Sequence, residues 1–140
     1  MHPIIRNVLA VVAGVVVGGL VNSALVQVGP SIVPPPAGTD ATTVEGLREG
    51  MKRFEPVHYL FPFLAHALGT FAGAAVAARL AARNPMRLAL GIGVFFLIGG
   101  VTAVCMLDAP AWFNVTDLVL AYLPMAYLGG RLAAPRPATA

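Results

Sequence analysis

The stretch Phe54-Glu-Pro-Val-His-Tyr-Leu-Phe-Pro-Phe-Leu-Ala-His-Ala-Leu-Gly-Thr-Phe-Ala-Gly73 begins polar and aromatic and becomes apolar without a break. That order is the signature of a helix entering a bilayer, since aromatic side chains favour the interface and apolar ones the hydrocarbon. His66 falls inside the apolar part, where an ionisable group is costly and marks a candidate functional position. Ala65, Gly69 and Gly73 follow at intervals of four, a strip of small residues on which a second helix can pack closely.

The remaining composition agrees with a membrane setting. The 140 residues are 58% hydrophobic and only 11% charged, against about 25% charged in soluble domains. So few charges cannot cover a water-facing surface of this size, whereas lipid needs no such cover. The formal net charge of +3 is carried by arginines set singly at the ends of apolar runs. These read as topology signals rather than as a nucleic-acid footprint, so no nucleic-acid partner is expected. The lone Cys105 excludes an intrachain disulfide or a CxxC motif.

Four apolar runs are long enough to cross, at about 20 residues per crossing. The sequence therefore predicts an all-α membrane protein, a four-transmembrane-helix bundle in one domain, with spans at 7–28, 58–82, 86–107 and 111–132. The first carries Gly14 and Gly18 as a GxxxG pair. A signal peptide is the rival reading of that run. Pro124 should kink the fourth span and free the carbonyl near Leu120. The external loop, 29–57, contains Pro34-Pro-Pro36 and then Thr42-x-x-Glu45, read as a capping box. Val44, Leu47, Met51 and Phe54 continue from it as one stripe, predicting a short amphipathic helix on the membrane surface or over the bundle mouth.

Arg6, Arg79, Arg83, Arg87, Arg131 and Arg136 all fall on one side of a four-span arrangement. The positive-inside rule then places both termini in the cytoplasm and the long loop outside. Arg79-Leu-Ala-Ala-Arg83 and Arg131-Leu-Ala-Ala-Pro-Arg136 close spans two and four, each preceded by an acid, a proline and an aromatic. This suggests two parallel helical hairpin repeats.

Aligning the spans by depth gathers the polar side chains near the outer side. His66 lies seven residues past Tyr59 and so about 10 Å inward, and Asp117 five past Trp112, about 7 Å inward. Asn22 and Thr102 stand at similar distances before the outer ends of their own spans. His58 and Glu55 sit at the rim, either extending the site or serving as helix-start residues. The inner half is almost entirely Ala, Val, Leu and Gly. The expectation is an outward-facing polar cavity with His66 and Asp117 as a coupled pair that binds a ligand or a proton. The alternative is that the two form a single interhelical hydrogen bond fixing register. A metal site is not expected: His58 and His66 are about 12 Å apart along one helix. No cofactor is called for, and Ser23 and Ser31 have no nearby base, so no catalytic residues can be assigned.

Three stretches, Gly29-Pro-Ser-Ile-Val-Pro-Pro-Pro36, Phe54-Glu-Pro with Phe61-Pro-Phe-Leu-Ala-His66-Ala-Leu-Gly-Thr70, and Asp117-Leu-Val-Leu-Ala-Tyr-Leu-Pro124-Met125, together resemble a family of small four-span bacterial inner-membrane proteins with no assigned activity. The resemblance implies a bacterial inner (cytoplasmic) membrane and supplies no site residues. The functional expectation is a non-catalytic accessory or solute- or lipid-binding module, its partners being the lipid bilayer and a homo-oligomer or larger membrane complex. The alternatives are a small channel or proton-linked transporter using His66 and Asp117, and an outer-leaflet lipid-modifying enzyme.

Overall fold

A computed structural model describes residues 2–134 and, among them, is all-helical with no strand. Arg136 and the tail around it lie outside the described residues. The helices are α1 (Pro3–Ile32), α2 (Val44–Met51), α3 (Leu60–Leu80, entered through a 3-10 turn at Pro56–Tyr59), α4 (Pro85–Met106), α5 (Ala111–Leu120) and α6 (Leu123–Ala133). Three segments, Pro3–Ile32, Pro56–Leu80 and Pro85–Met106, are long and apolar enough to cross a membrane. α1 exceeds the expected span at both ends: Pro3 stands at its first position, where a missing N–H costs nothing, and the helix continues through Pro30 to Ile32, so the first residues of the expected loop, 29–32, are helical.

The run at 111–132, expected as one kinked span, is instead two helices. α5 stops at Leu120 and α6 starts at Leu123, with Tyr122 between them at φ −112°, ψ −81°. Pro124 explains the stop: it cannot donate to the carbonyl of Leu120, and its ring crowds that turn.

The central element is α3. Along one side it packs antiparallel to α1, backbone to backbone. A methyl added at Gly14 would stand 2.6 Å from the carbonyl oxygen of Gly73, and one at Gly18 would stand 2.7 Å from that of Gly69. Only glycine permits this approach, which gives dispersion contact in a setting where apolar burial alone supplies no drive. α3 also packs on α4 and on α6, where Gly129 meets the backbone of Phe71. α4 runs antiparallel to α5 and α6: Gly130 meets Ala89, Gly93 meets Ala126 and Gly100 meets Tyr122. The core at this end is Ala74, Ala77, Ala78, Ala89, Ile92 and Ala126.

The connection between α3 and α4 at Arg83-Asn84-Pro85 has Asn84 in the left-handed region at φ 53°. α1 clamps it: the Arg6 Nε–H donates to Leu80 O at 2.9 Å and the Ala82 N–H to Asn7 Oδ1 at 2.8 Å. At the opposite end α2 forms, but its cap is one residue later than the sequence suggests. Thr43, not Thr42, is the N-cap, its Oγ1 accepting from the Gly46 N–H at 3.0 Å. Thr42 is taken by Asp40, whose Oδ1 accepts both its N–H and its hydroxyl. These bonds hold the exposed Asp40 carboxyl below its ordinary value of 3.8, the Thr42 hydroxyl contributing most. Met51 and Leu47 of α2 pack on Tyr59, Phe113 and Leu107, so α2 lies across one end of the bundle.

Outside these contacts the helices present large apolar side chains. Val8, Val12, Val16 and Leu20 on α1, Phe95 and Ile98 on α4 and Val115 and Val119 on α5 are each more than half exposed. A continuous belt of this kind is what lipid covers.

Candidate functional site

Asp117, on α5, is 4% exposed, and a buried acid needs partners. His66 on α3 supplies one: its Nδ1 stands 2.9 Å from Oδ1 and 2.9 Å from Oδ2. Tyr122 supplies the other, donating its hydroxyl to Oδ2 at 2.9 Å. Five positions along an unbroken helix would carry Tyr122 about 140° around the axis from Asp117. The break between α5 and α6 turns it back, so the irregular backbone caused by Pro124 is what completes the site. The His66 and Tyr122 rings stack at 5.7 Å, and the missing side chain at Gly100 makes room for the phenol.

With a carboxylate against it, Nδ1 is the donor nitrogen of His66. Nε2, on the opposite edge of the ring, has no hydrogen-bond partner among the described residues. His66 lines a cavity of about 220 Å³ together with Asn22, Thr70, Phe96, Gly99 and Tyr122. Thr70 is 1% exposed, yet its hydroxyl has no partner. Buried hydroxyls are nearly always satisfied, and leaving one unpaired costs about 1–3 kcal/mol. A second cavity of about 210 Å³ meets the first at His66 and Gly100 and is mainly apolar, walled by Leu47, Met51, Phe54, Tyr59, Leu107 and Phe113. Asp117 and Asn114 also reach it.

Of the residues singled out by depth, the structure brings His66, Asp117 and Asn22 together. Thr102 is not with them: it is exposed, and its hydroxyl donates to Ile98 O one turn back at 2.9 Å. The depth reading placed Thr102 at the right height, but it projects away from the cavity that Phe96, Gly99 and Gly100 line on the same helix. His58 and Glu55 form a separate unit. His58 Nδ1 accepts the Glu55 N–H at 2.9 Å, which makes Nε2 the protonated nitrogen, 3.2 Å from Pro34 O. His58 also stacks on Phe54 at 5.1 Å. It therefore fastens the loop to the start of α3, and Glu55, exposed, contributes its backbone to that fastening.

Two residues at the centre escaped the sequence reading. Thr70 had a visible signal, one turn beyond His66 on the same face of α3. Tyr122 had a weaker one, since its return to Asp117 depends on how the chain turns at Pro124. Among the described residues no three of His, Cys, Asp and Glu cluster as a metal would require. Compared with family models, with curated proteins and with solved structures, the chain matches none.

Proposed function

We propose that this is a four-span inner-membrane protein that binds a small ligand in the cavity beside His66 and acts as a non-catalytic module. The observation that carries the reading is the Thr70 hydroxyl, buried and unpaired in the wall of a cavity that also holds Asn22 and the free edge of His66. A ligand hydroxyl can accept from the Thr70 hydroxyl or the Asn22 amide and donate to His66 Nε2. The Asp117 carboxylate then acts as a positioning group: it fixes the orientation and tautomer of His66, and Tyr122 fixes Asp117.

The fourth crossing is supported by α5 and α6 running beside α4 from Gly100 to Ala89 and on to the turn that Arg6 and Asn7 clamp. The arginines at that turn and at the end of α6 support a cytoplasmic position for it and an outward position for α2. A transporter needs a route through the inner half. Ala74, Ala77, Ala78 and Ala89 there are 0% exposed, which favours the binding module over the channel.

The test is native mass spectrometry of the full chain released from lipid nanodiscs. Wild type should retain a small molecule at one per chain, and His66→Gln and Thr70→Val should lose it while keeping their helical content. A chain that retains nothing from any native lipid extract, together with a Thr70→Val variant that only loses stability, would sink the reading.

A further inference from the structure

We infer that the ligand is a neutral, single-ring amphiphile carrying a hydroxyl, and that it reaches His66 sideways from the bilayer between α1 and α4. This rests on the cavity being a ligand site, and adds what fills it and how it is entered.

Size comes first. A cavity of about 220 Å³ is somewhat larger than the roughly 150 Å³ apolar cavity that accepts benzene in an engineered protein, so one six-membered ring with small substituents fits. The walls suit a ring: Phe96 and Tyr122 are aromatic, and the His66 ring stacks with Tyr122. Three groups are available to a substituent: the Thr70 hydroxyl, the Asn22 amide and His66 Nε2. One hydroxyl serves them: its oxygen accepts from the Thr70 hydroxyl or the Asn22 amide, and its O–H donates to Nε2, which a carbonyl cannot do. Among the described residues no lysine or arginine lines the cavity, so none of them would compensate a phosphate or a carboxylate stripped of water at this depth.

The route follows from what closes the other directions. Toward α2 the neighbouring cavity is lined by Leu47 and Met51 of the helix that lies across this end. Toward the clamped turn the alanine core is fully covered. α1 and α4 meet beside Ile92, which approaches Gly14. Further along, Asn22 of α1 and Gly99 of α4 stand on the two sides of the cavity. Gly99 is exposed, and a methyl added there would touch nothing within 4 Å. A glycine at this point leaves the opening between the helices unobstructed.

The experiment uses the full chain in nanodiscs and a photoreactive azidophenol bearing a decyl tail, with the oxygen-free azidobenzene of equal tail length as control. The phenol should label residues around the cavity at least about tenfold above the control. Gly99→Phe should abolish that labelling. Gly91→Phe, on the same helix and equally unobstructed, should not. If Gly99→Phe fails to fold, Gly99→Leu narrows the same opening. Equal labelling by the two probes overturns the ligand class. Labelling that survives Gly99→Phe but disappears on Met51→Trp overturns lateral entry. Labelling by neither probe, with a water-soluble molecule still retained in native mass spectrometry, overturns this inference and leaves the binding module intact; retention of nothing removes both.

Discussion

At Gly14 and Gly73, α1 and α3 touch backbone to backbone; about two turns further on, at Asn22 and His66, the same two helices line a cavity. The difference lies in side-chain size. In the closed half, glycine and alanine let three helices converge on Ile92 until no atom of Ala74 or Ala77 is exposed. In the open half α1 and α3 stay close, Gly69 against Asn22 and Gly29 against Phe61, and the chamber lies beside that seam, bounded by Phe96, His66 and Tyr122. Small residues here build a rigid base, and bulky ones bound a chamber above it.

The comparison is broken most severely by enlarging a contact glycine. Gly73→Leu drives a side chain into Gly14 O and Ile92, and should cost about 3 kcal/mol. Gly91→Leu, with open space around it, should stay within about 0.5 kcal/mol. Reversible unfolding in mixed micelles measures both, and equal losses would mean the close approach is not what holds this half together. Next in size is Asp117→Ala, which strands His66 and Tyr122; a loss of about 2 kcal/mol is expected. Tyr122→Phe should lose about half as much, since His66 remains paired.

Thr70→Val carries the opposite sign. Removing an unsatisfied hydroxyl from the wall of the chamber should stabilise the ligand-free protein by up to about 1 kcal/mol, even as it weakens binding. A stability loss would show that the hydroxyl has a partner within the fold.

The smallest effect lies in the loop. Asp40 has a lowered value in the folded chain, so its contribution is present above the ordinary carboxylate range and is lost as pH falls through the lowered one. The Thr42 amide resonance should titrate with a midpoint below 3.8, and Asp40→Asn should remove that titration. A midpoint at or above that value would show that the Asp40–Thr42 turn does not form.

Run length and small-residue spacing made much of the helical layout legible. Gly14, Gly18, Gly69 and Gly73 were visible as strips because a repeat of four has meaning on a helix. Depth counting from Tyr59 and Trp112 set His66 and Asp117 near one level because rise per residue is nearly constant. Depth does not fix rotation about the axis, however, and Thr102 was misplaced for that reason. Nor does a proline reveal where the chain points after it, so the return of Tyr122 to Asp117 could not be derived from spacing. Thr42 and Thr43 compete for one cap, and Asp40, lying two residues before the first, decided between them.

The clamp that Arg6 and Asn7 place on the turn after α3 has a consequence for synthesis. The first helix leaves the ribosome with its main partner still unmade, because the 50 residues from Val33 to Ala82 must follow before the clamp can close. At about 5–20 residues per second, the newborn segment waits several seconds in the insertion machinery or in lipid, its glycine face uncovered. Until the clamp closes, the glycine face of the first helix has no partner within its own chain.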